Sequence, residues 1–180
     1  VEHVTPEDLR DVGLFGGLSD DVIDFFCASS TPVSHLTGST IFREDEPATA
    51  IFVVLSGRLE LTRRDRRGAE VRLALVHPRD WVGEVGLLDM KPRSTTVRAL
   101  EECVLLPIPS ALLNALYRRD LKAYTLFILN IAREMCRRLR VIDELLVEYK
   151  ATETPLAQPH DAQPAPSPPP AGPKGEETTE

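Results

Sequence analysis

The chain has 180 residues, with 21 Lys+Arg against 28 Asp+Glu, a formal net charge of −7 and 42% hydrophobic residues. That length suits one domain of ordinary size with a core able to fold alone, and the acidic balance argues against a broad basic surface for gripping a nucleic-acid backbone. The best apolar run, residues 123–132, is ten uncharged residues, well short of the ~18–20 a membrane-spanning helix needs. The first residues, VEHV, show no basic region leading into an apolar run, so no secretory signal is expected. Cys27, Cys103 and Cys136 are widely spaced, form no CxxC pair and sit among apolar residues, which predicts buried free thiols in a reducing cytoplasm. The histidines at positions 3, 35, 77 and 160 form no HxxxH or HxH pair, and no metal site is expected.

Residues 6–29 read as short helices. Ser19 followed by Asp20 and Asp21 is an N-cap with acid in the first turn, and Val22, Ile23, Phe25 and Phe26 supply the apolar stripe. Residues 31–98 read as short strands broken by turn signals, at 40–42, 50–55, 58–62, 71–76 and 94–99. Leu59/Leu61 and Val71/Leu73/Leu75 alternate with polar residues, which predicts one buried and one wet face. One more strand, 104–108, precedes Pro109. Strands at this spacing point to an antiparallel sandwich or roll.

After Pro109 the pattern turns helical, first at 110–117 and then from about 121 to 149 without Pro or Gly. In the long helix Met135, Leu139, Ile142, Leu146 and Tyr149 step by 4, 3, 4 and 3, a heptad seam flanked by Arg137, Arg138, Arg140, Asp143, Glu144 and Glu148. Self-pairing into a homodimer is expected from that narrow seam, with packing on the roll alone as the alternative. Eight of the 15 prolines fall in residues 151–180, whose acids outnumber Lys174 five to one. Such a segment buries too little apolar surface to offset its ordering entropy, so residues 1–150 are read as the domain and 151–180 as a disordered acidic tail.

The chemistry-bearing stretch is DWVGEVGLLDMKPRSTTV, residues 80–97. Gly83 and Gly86 allow close backbone approach or positive φ. From Val85 a short apolar segment forms about one helical turn, whose first amides would face an anion. Arg93 follows nine residues after Glu84, and then come the hydroxyls of Ser94, Thr95 and Thr96. A carboxylate, a guanidinium able to bond phosphate through two parallel N–H groups and free amides suit a ligand carrying hydroxyls and one phosphate. Taken alone, a Glu and an Arg in one loop also describe a surface ion pair.

Gly83, Glu84, Gly86, Leu87, Leu88, Pro92, Arg93, Ser94 and Val97 together resemble the phosphate-binding cassette of the cyclic-nucleotide-binding domain family, in its catabolite-activator-like form. The resemblance extends to Leu14-Phe15, to Gly38 with Ile41-Phe42, and to IFVVLSG at 51–57, so that residues 14–149 are covered. It implies an α+β fold: an antiparallel, jelly-roll-like β-roll flanked by N-terminal helices and a long C-terminal helix. It also implies a ligand site of Gly83, Glu84, Val85, Gly86, Arg93, Ser94, Thr95, Arg138 and Asp143. Glu84 would accept from the ribose 2′-hydroxyl. Arg93, the amides near Gly83 and Glu84, and Ser94 would hold the cyclic phosphate. Arg138 would reach the Glu or the phosphate, and Asp143 would face the purine. Three positions depart from the pattern: Thr95 where a small Ala is usual, Asp45 where the preceding turn usually has Gly, and Arg79 for the Gly before Asp80.

No G-x-S-x-G, H-E-x-x-H or Walker loop is present, and an enzyme is not expected. Residues 151–180 cannot make a recognition helix, so no nucleic-acid or membrane partner is expected. The resemblance therefore implies a cytoplasmic sensor of cAMP or cGMP, acting through its C-terminal helix, with the nucleotide as ligand and no cofactor. The alternative is a degenerate, dimeric protein-interaction module of the same fold. In it the Pro-rich run 166–173 would engage a protein partner, unless that run is a solvated linker.

Overall fold

In the computed structural model, which describes residues 3–153, every strand pairing is antiparallel. Three short helical pieces come first: α1 (Pro6–Arg10), a 3₁₀ turn (Gly13–Phe15) and α2 (Asp20–Ser29). The strands are β1 (Val33–His35), β2 (Thr40–Phe42), β3 (Ala50–Ser56), β4 (Leu59–Arg64), β5 (Glu70–Val76), β6 (Trp81–Val82), β7 (Thr96–Ala99) and β8 (Cys103–Pro109). The short helix α3 (Glu84–Leu88) lies between β6 and β7, and α4 (Ser110–Arg119) and α5 (Leu121–Glu153) close the sequence of elements. The strands form two four-stranded sheets, ordered β1-β8-β3-β6 and β2-β7-β4-β5. The fold is thus an α+β, jelly-roll-like roll with helices before and after it. The strands β1 and β6 were not foreseen in the sequence, being two or three residues long with no alternation to read.

Two compact units are distinguished, Val1–Arg138 and Leu139–Glu180. In the first, Ile51, Val53, Leu106 and Ile108 of the β1-side sheet pack with Leu9, Leu14, Phe15, Phe26, Leu116, Phe127 and Ile131 from the helical layer. Phe26 stacks on Phe127 at 5.4 Å and Phe15 meets Phe26 edge-on at 5.1 Å, geometries that add to plain area burial. A second cluster, including Phe42, Val54, Leu59, Val97 and Leu105, fills the space between the sheets. Asn130, buried in the helical layer, donates through Nδ2 to the carbonyls of Leu14 and Gly16 and so ties α5 to the 3₁₀ turn. In the second unit the described part is helix, and Leu139, Ile142, Leu145, Leu146 and Tyr149 are exposed along it.

Several expectations need correcting. Val71, Leu73 and Leu75 do alternate, yet they are 47%, 55% and 43% exposed. The reason is position and register: β5 is the outer strand of its sheet, paired with β4 alone, and a register shift at Leu73 breaks the alternation, so the three do not share one inward face. Of the cysteines only Cys103 is buried; Cys27 is half-buried and Cys136 exposed, because a helix position is buried only on the face that meets the sheet. Ser19 occupies the N-cap of α2 in extended backbone but makes no side-chain capping bond. Helix α5 runs to Glu153, a few residues past the expected end of the helix. The expected Pro-rich tail, including 166–173, otherwise lies outside the described residues. Among the described residues no helix is long and apolar enough to cross a membrane.

Candidate functional site

Between β6 and β7 the backbone makes a close turn that the two glycines permit. Gly83 caps α3 at φ +90°, and a Cβ there would stand 2.5 Å from Arg93 Nη1 and 3.1 Å from the Ala50 carbonyl. A Cβ on Gly86 would stand 2.8 Å from the Lys91 carbonyl and 2.9 Å from Ala48 Cβ. Both positions therefore need glycine for space, and Gly83 for its φ as well. The far end of the loop is stitched to the 43–46 turn: the Arg93 amide donates to the Glu46 carbonyl, and the Asp45 amide to the Arg93 carbonyl. Asp45 takes φ +70°, the left-handed conformation that Asp tolerates where glycine is usual. Arg79, the other such replacement, sits at φ +76° and pairs with Asp11 at 3.1 Å.

This frame buries two opposite charges. Glu84 is 3% exposed and Arg93 4%. Arg93 donates through Nη1 to the Gly83 carbonyl and through Nη2 to the Ala50 carbonyl, both at 2.8 Å. Its guanidinium carbon lies 4.1 Å from the centre of the Phe42 ring, in cation–π contact. Arg93 Nε is buried and has no hydrogen-bond partner among the described residues. Burial pulls the Arg93 guanidinium below its usual pKa, opposed by Glu46 and then Glu84.

Glu84 accepts from Arg138 Nη1 at 3.0 Å. Arg138 is the last residue of the first unit, so the contact lies within it. Arg138 also donates through Nε to Glu134 at 3.2 Å, and stands 5.8 Å from the centre of the Trp81 ring. Burial raises the Glu84 carboxyl above the usual carboxylate value, and Arg138 is the chief force in the other direction. The pair is asymmetric: Glu84 is buried and has given up hydration, while the Arg138 side chain is 37% exposed.

The remaining expected residues are placed as follows. Val85 is exposed on α3 and Gly86 buried beneath it; Ser94 is exposed and Thr95 half-buried in the bend before β7. Asp143 is exposed on the helix of the second unit. With only five residues, α3 has a weak dipole, so charge for an anion would come chiefly from Arg93. Phe42 beneath Arg93, the Ala50 carbonyl and Trp81 beside Arg138 were missed in the sequence. An aromatic within a strand and a backbone carbonyl carry no local pattern. Among the described residues no group of three or more His, Cys, Asp or Glu stands together as a metal site.

A family model described as cyclic nucleotide-binding domain matches residues 32–120. The chain is 32% identical over 134 residues to the cyclic AMP receptor protein of Thermus thermophilus, covering 72% of this chain and 58% of that protein. It is 30% identical over 96 residues to a CRP-like cAMP-activated global transcriptional regulator of Mycobacterium tuberculosis, covering 53% of this chain and 43% of that protein. It thus spans about half the length of these curated relatives. The crystal structure of the N-terminal domain of a Streptomyces coelicolor transcriptional regulator is 31% identical, with a TM-score of 0.65 over 73% of this chain and 94% of that one. With the buried Glu84 and Arg93 of the 80–97 loop in place, these matches establish that the chain belongs to the cyclic nucleotide-binding domain family.

Proposed function

We propose that this protein binds a cyclic nucleotide, cAMP or cGMP, at the 83–95 loop and relays the binding through α5 as a regulatory module. The observation that carries this reading is the pairing of a buried carboxylate with a buried guanidinium whose Nε is unpartnered. A buried polar N–H left unmatched costs about 1–3 kcal/mol, and a cyclic phosphate oxygen would relieve it with a charge-assisted bond. Ser94 and the first amides of α3 would complete the phosphate's partners, with Val85, Gly86 and Thr95 around them. Glu84 would take the ribose 2′-hydroxyl.

Arg138 supplies the route out. A ribose hydroxyl arriving at Glu84 would bond the carboxylate whose Oε1 Arg138 holds, so ligand and Arg138 would share one carboxylate. Any loosening of Arg138 acts on the start of the 139–153 segment, and only a difference in ligand affinity between the two arrangements can shift their populations. The exposed seam on that segment is the surface that would pair with a second copy, and Asp143 remains the candidate for the purine edge. The proposed location is the cytoplasm, whose reducing conditions suit the free Cys27, Cys103 and Cys136.

A second reading draws on the two backbone carbonyls that Arg93 already serves. There Arg93 is a structural arginine, and the chain is a dimeric interaction module without nucleotide. Titration calorimetry with cAMP and cGMP on the wild type and Arg93→Ala separates the two. Heat with the wild type that is lost with the variant supports the sensor. No heat with either protein supports the module, and equal heats in both would remove Arg93 from the site.

A further inference from the structure

Trp81 is the chain's single tryptophan, and it stands beside the site without being one of the residues assigned to it. It is 3% exposed on the two-residue strand β6, where it pairs across the sheet with Val53. Two of its groups face Arg138. The Trp81 carbonyl accepts from Arg138 Nη2 at 3.4 Å, and the ring centre lies 5.8 Å from the guanidinium carbon, inside the ~6 Å range of cation–π attraction. The benzo edge of the indole rests on the 3₁₀ turn: a Cβ on Gly13 would stand 3.7 Å from Cζ3 and 3.8 Å from Cη2. Nε1, on the pyrrole half, is buried with no hydrogen-bond partner among the described residues. A buried tryptophan usually has its N–H matched, so this one is kept for its ring and its place rather than for a hydrogen bond of its side chain.

Arg138 is a side chain that needs holding. It has many rotamers and is 37% exposed, yet its partner Glu84 is buried. Nε is bonded to Glu134, one turn back on the same helix, and Glu134 also pairs with Arg137 at 3.1 Å. Glu134 therefore ties the guanidinium to α5, while Trp81 and Glu84 tie it to the roll. A flat guanidinium can lie on an aromatic face and donate from its edge at the same time. We infer that Trp81 is a positioning residue for the nucleotide site: its ring and carbonyl keep Arg138 on Glu84, and its contact with Gly13 joins that ion pair to the N-terminal 3₁₀ turn. All of these residues lie in the first unit. The bearing on ligand rests on the sensor reading above, in which Glu84 takes the ribose hydroxyl.

Urea denaturation of the full chain across pH, without nucleotide, tests this on Trp81→Leu, Trp81→Phe, Arg138→Ala and the pair Trp81→Leu/Arg138→Ala. A hole left in the core lowers stability alike at every pH, whereas freeing Glu84 from Arg138 does not. With Arg138 gone, Glu84 keeps Arg93 as an attracting charge and Glu134 as a repelling one, and the folded state holds its proton more tightly. Trp81→Leu is therefore expected to show the steeper decline of stability with rising pH that Arg138→Ala shows. Trp81→Phe keeps an aromatic face and is expected to track the wild type. The double variant is expected to be no steeper than Arg138→Ala, because both changes act through one contact. A Trp81→Leu slope equal to the wild type, or a double variant in which the two slopes add in full, overturns the inference. If Trp81→Leu fails to fold by circular dichroism, tryptophan emission decides: Arg138→Ala is expected to shift it, and unchanged emission overturns the proposal. Calorimetry with cAMP keeps the two readings apart. Trp81→Leu is expected to bind roughly fivefold more weakly, the worth of one cation–π contact, and Trp81→Phe close to wild type. Equal affinity in Trp81→Leu and wild type overturns this inference and leaves the sensor standing. No heat with any form, wild type included, removes the sensor reading alone, and the pH slopes still decide whether Trp81 holds Arg138.

Discussion

The 80–97 loop and the β4–β5 hairpin both display arginines, and they use them in opposite ways. Arg93 is buried, bonded twice to backbone and laid over Phe42. Arg66, Arg67 and Arg72 are exposed and meet no carboxylate among the described residues. A guanidinium that the fold has already desolvated and aimed is suited to a small ligand, because the ordering entropy was lost during folding. One left hydrated on a hairpin suits a large partner, where charge sets specificity and encounter rate more than affinity. The apolar residues divide in the same way, with Phe127 sealed between Phe15 and Phe26 and Leu73 open to water.

Four measurements sharpen or break this contrast. The largest effect belongs to the core: Phe127→Ala should lower unfolding free energy by about 3–5 kcal/mol, read by urea denaturation. A loss below about 1 kcal/mol would mean that the helical layer is not the anchor described here. Next, under the proposed sensor function, Arg93→Ala should cost about 2–3 kcal/mol of cyclic-nucleotide binding, roughly 30- to 150-fold in Kd by calorimetry.

The third concerns Glu84. Its carboxyl is raised by burial and held down mainly by Arg138, so Arg138→Ala should raise it further. The folded state then binds a proton that the unfolded chain binds less well. The contribution to stability is greatest at acid pH and declines as pH rises from the ordinary carboxylate range to the raised value. Denaturation across that range should show a steeper decline for Arg138→Ala than for the wild type, and none from this source in Glu84→Gln. Nucleotide affinity should move the other way, falling as pH drops and Glu84 takes up its proton. The smallest effect is Leu73→Ala, expected within about 0.5 kcal/mol of wild type in dilute solution. A large loss there would show that the hairpin face is covered in the monomer.

The legibility of the sequence followed the range of the interactions involved. Glycine spacing and the unbroken run of helix formers after Asp120 are local, and they led to the 83–88 turn and to α5. Strand alternation identified β4 and β5 correctly as strands, yet misjudged the burial of Val71, Leu73 and Leu75. Alternation reports that two faces differ, while burial depends on whether another layer lies against one of them. Asn130 was passed over because a single amide in an apolar helix has no pattern. Its two carbonyl acceptors lie more than a hundred residues away in sequence.

By itself, then, the amino-acid order determined the antiparallel roll, the helical ends, the left-handed turn at Asp45 and the residues of the 80–97 loop, because short-range sterics and periodicity act within a few residues. Tertiary structure alone decided three things: that Arg93 spends its Nη groups on carbonyls and keeps Nε in reserve, that Arg138 holds Glu84, and that an apolar strand lies open at the sheet edge. Each depends on segments brought together from distant parts of the chain, where desolvation and the position of a layer set the outcome.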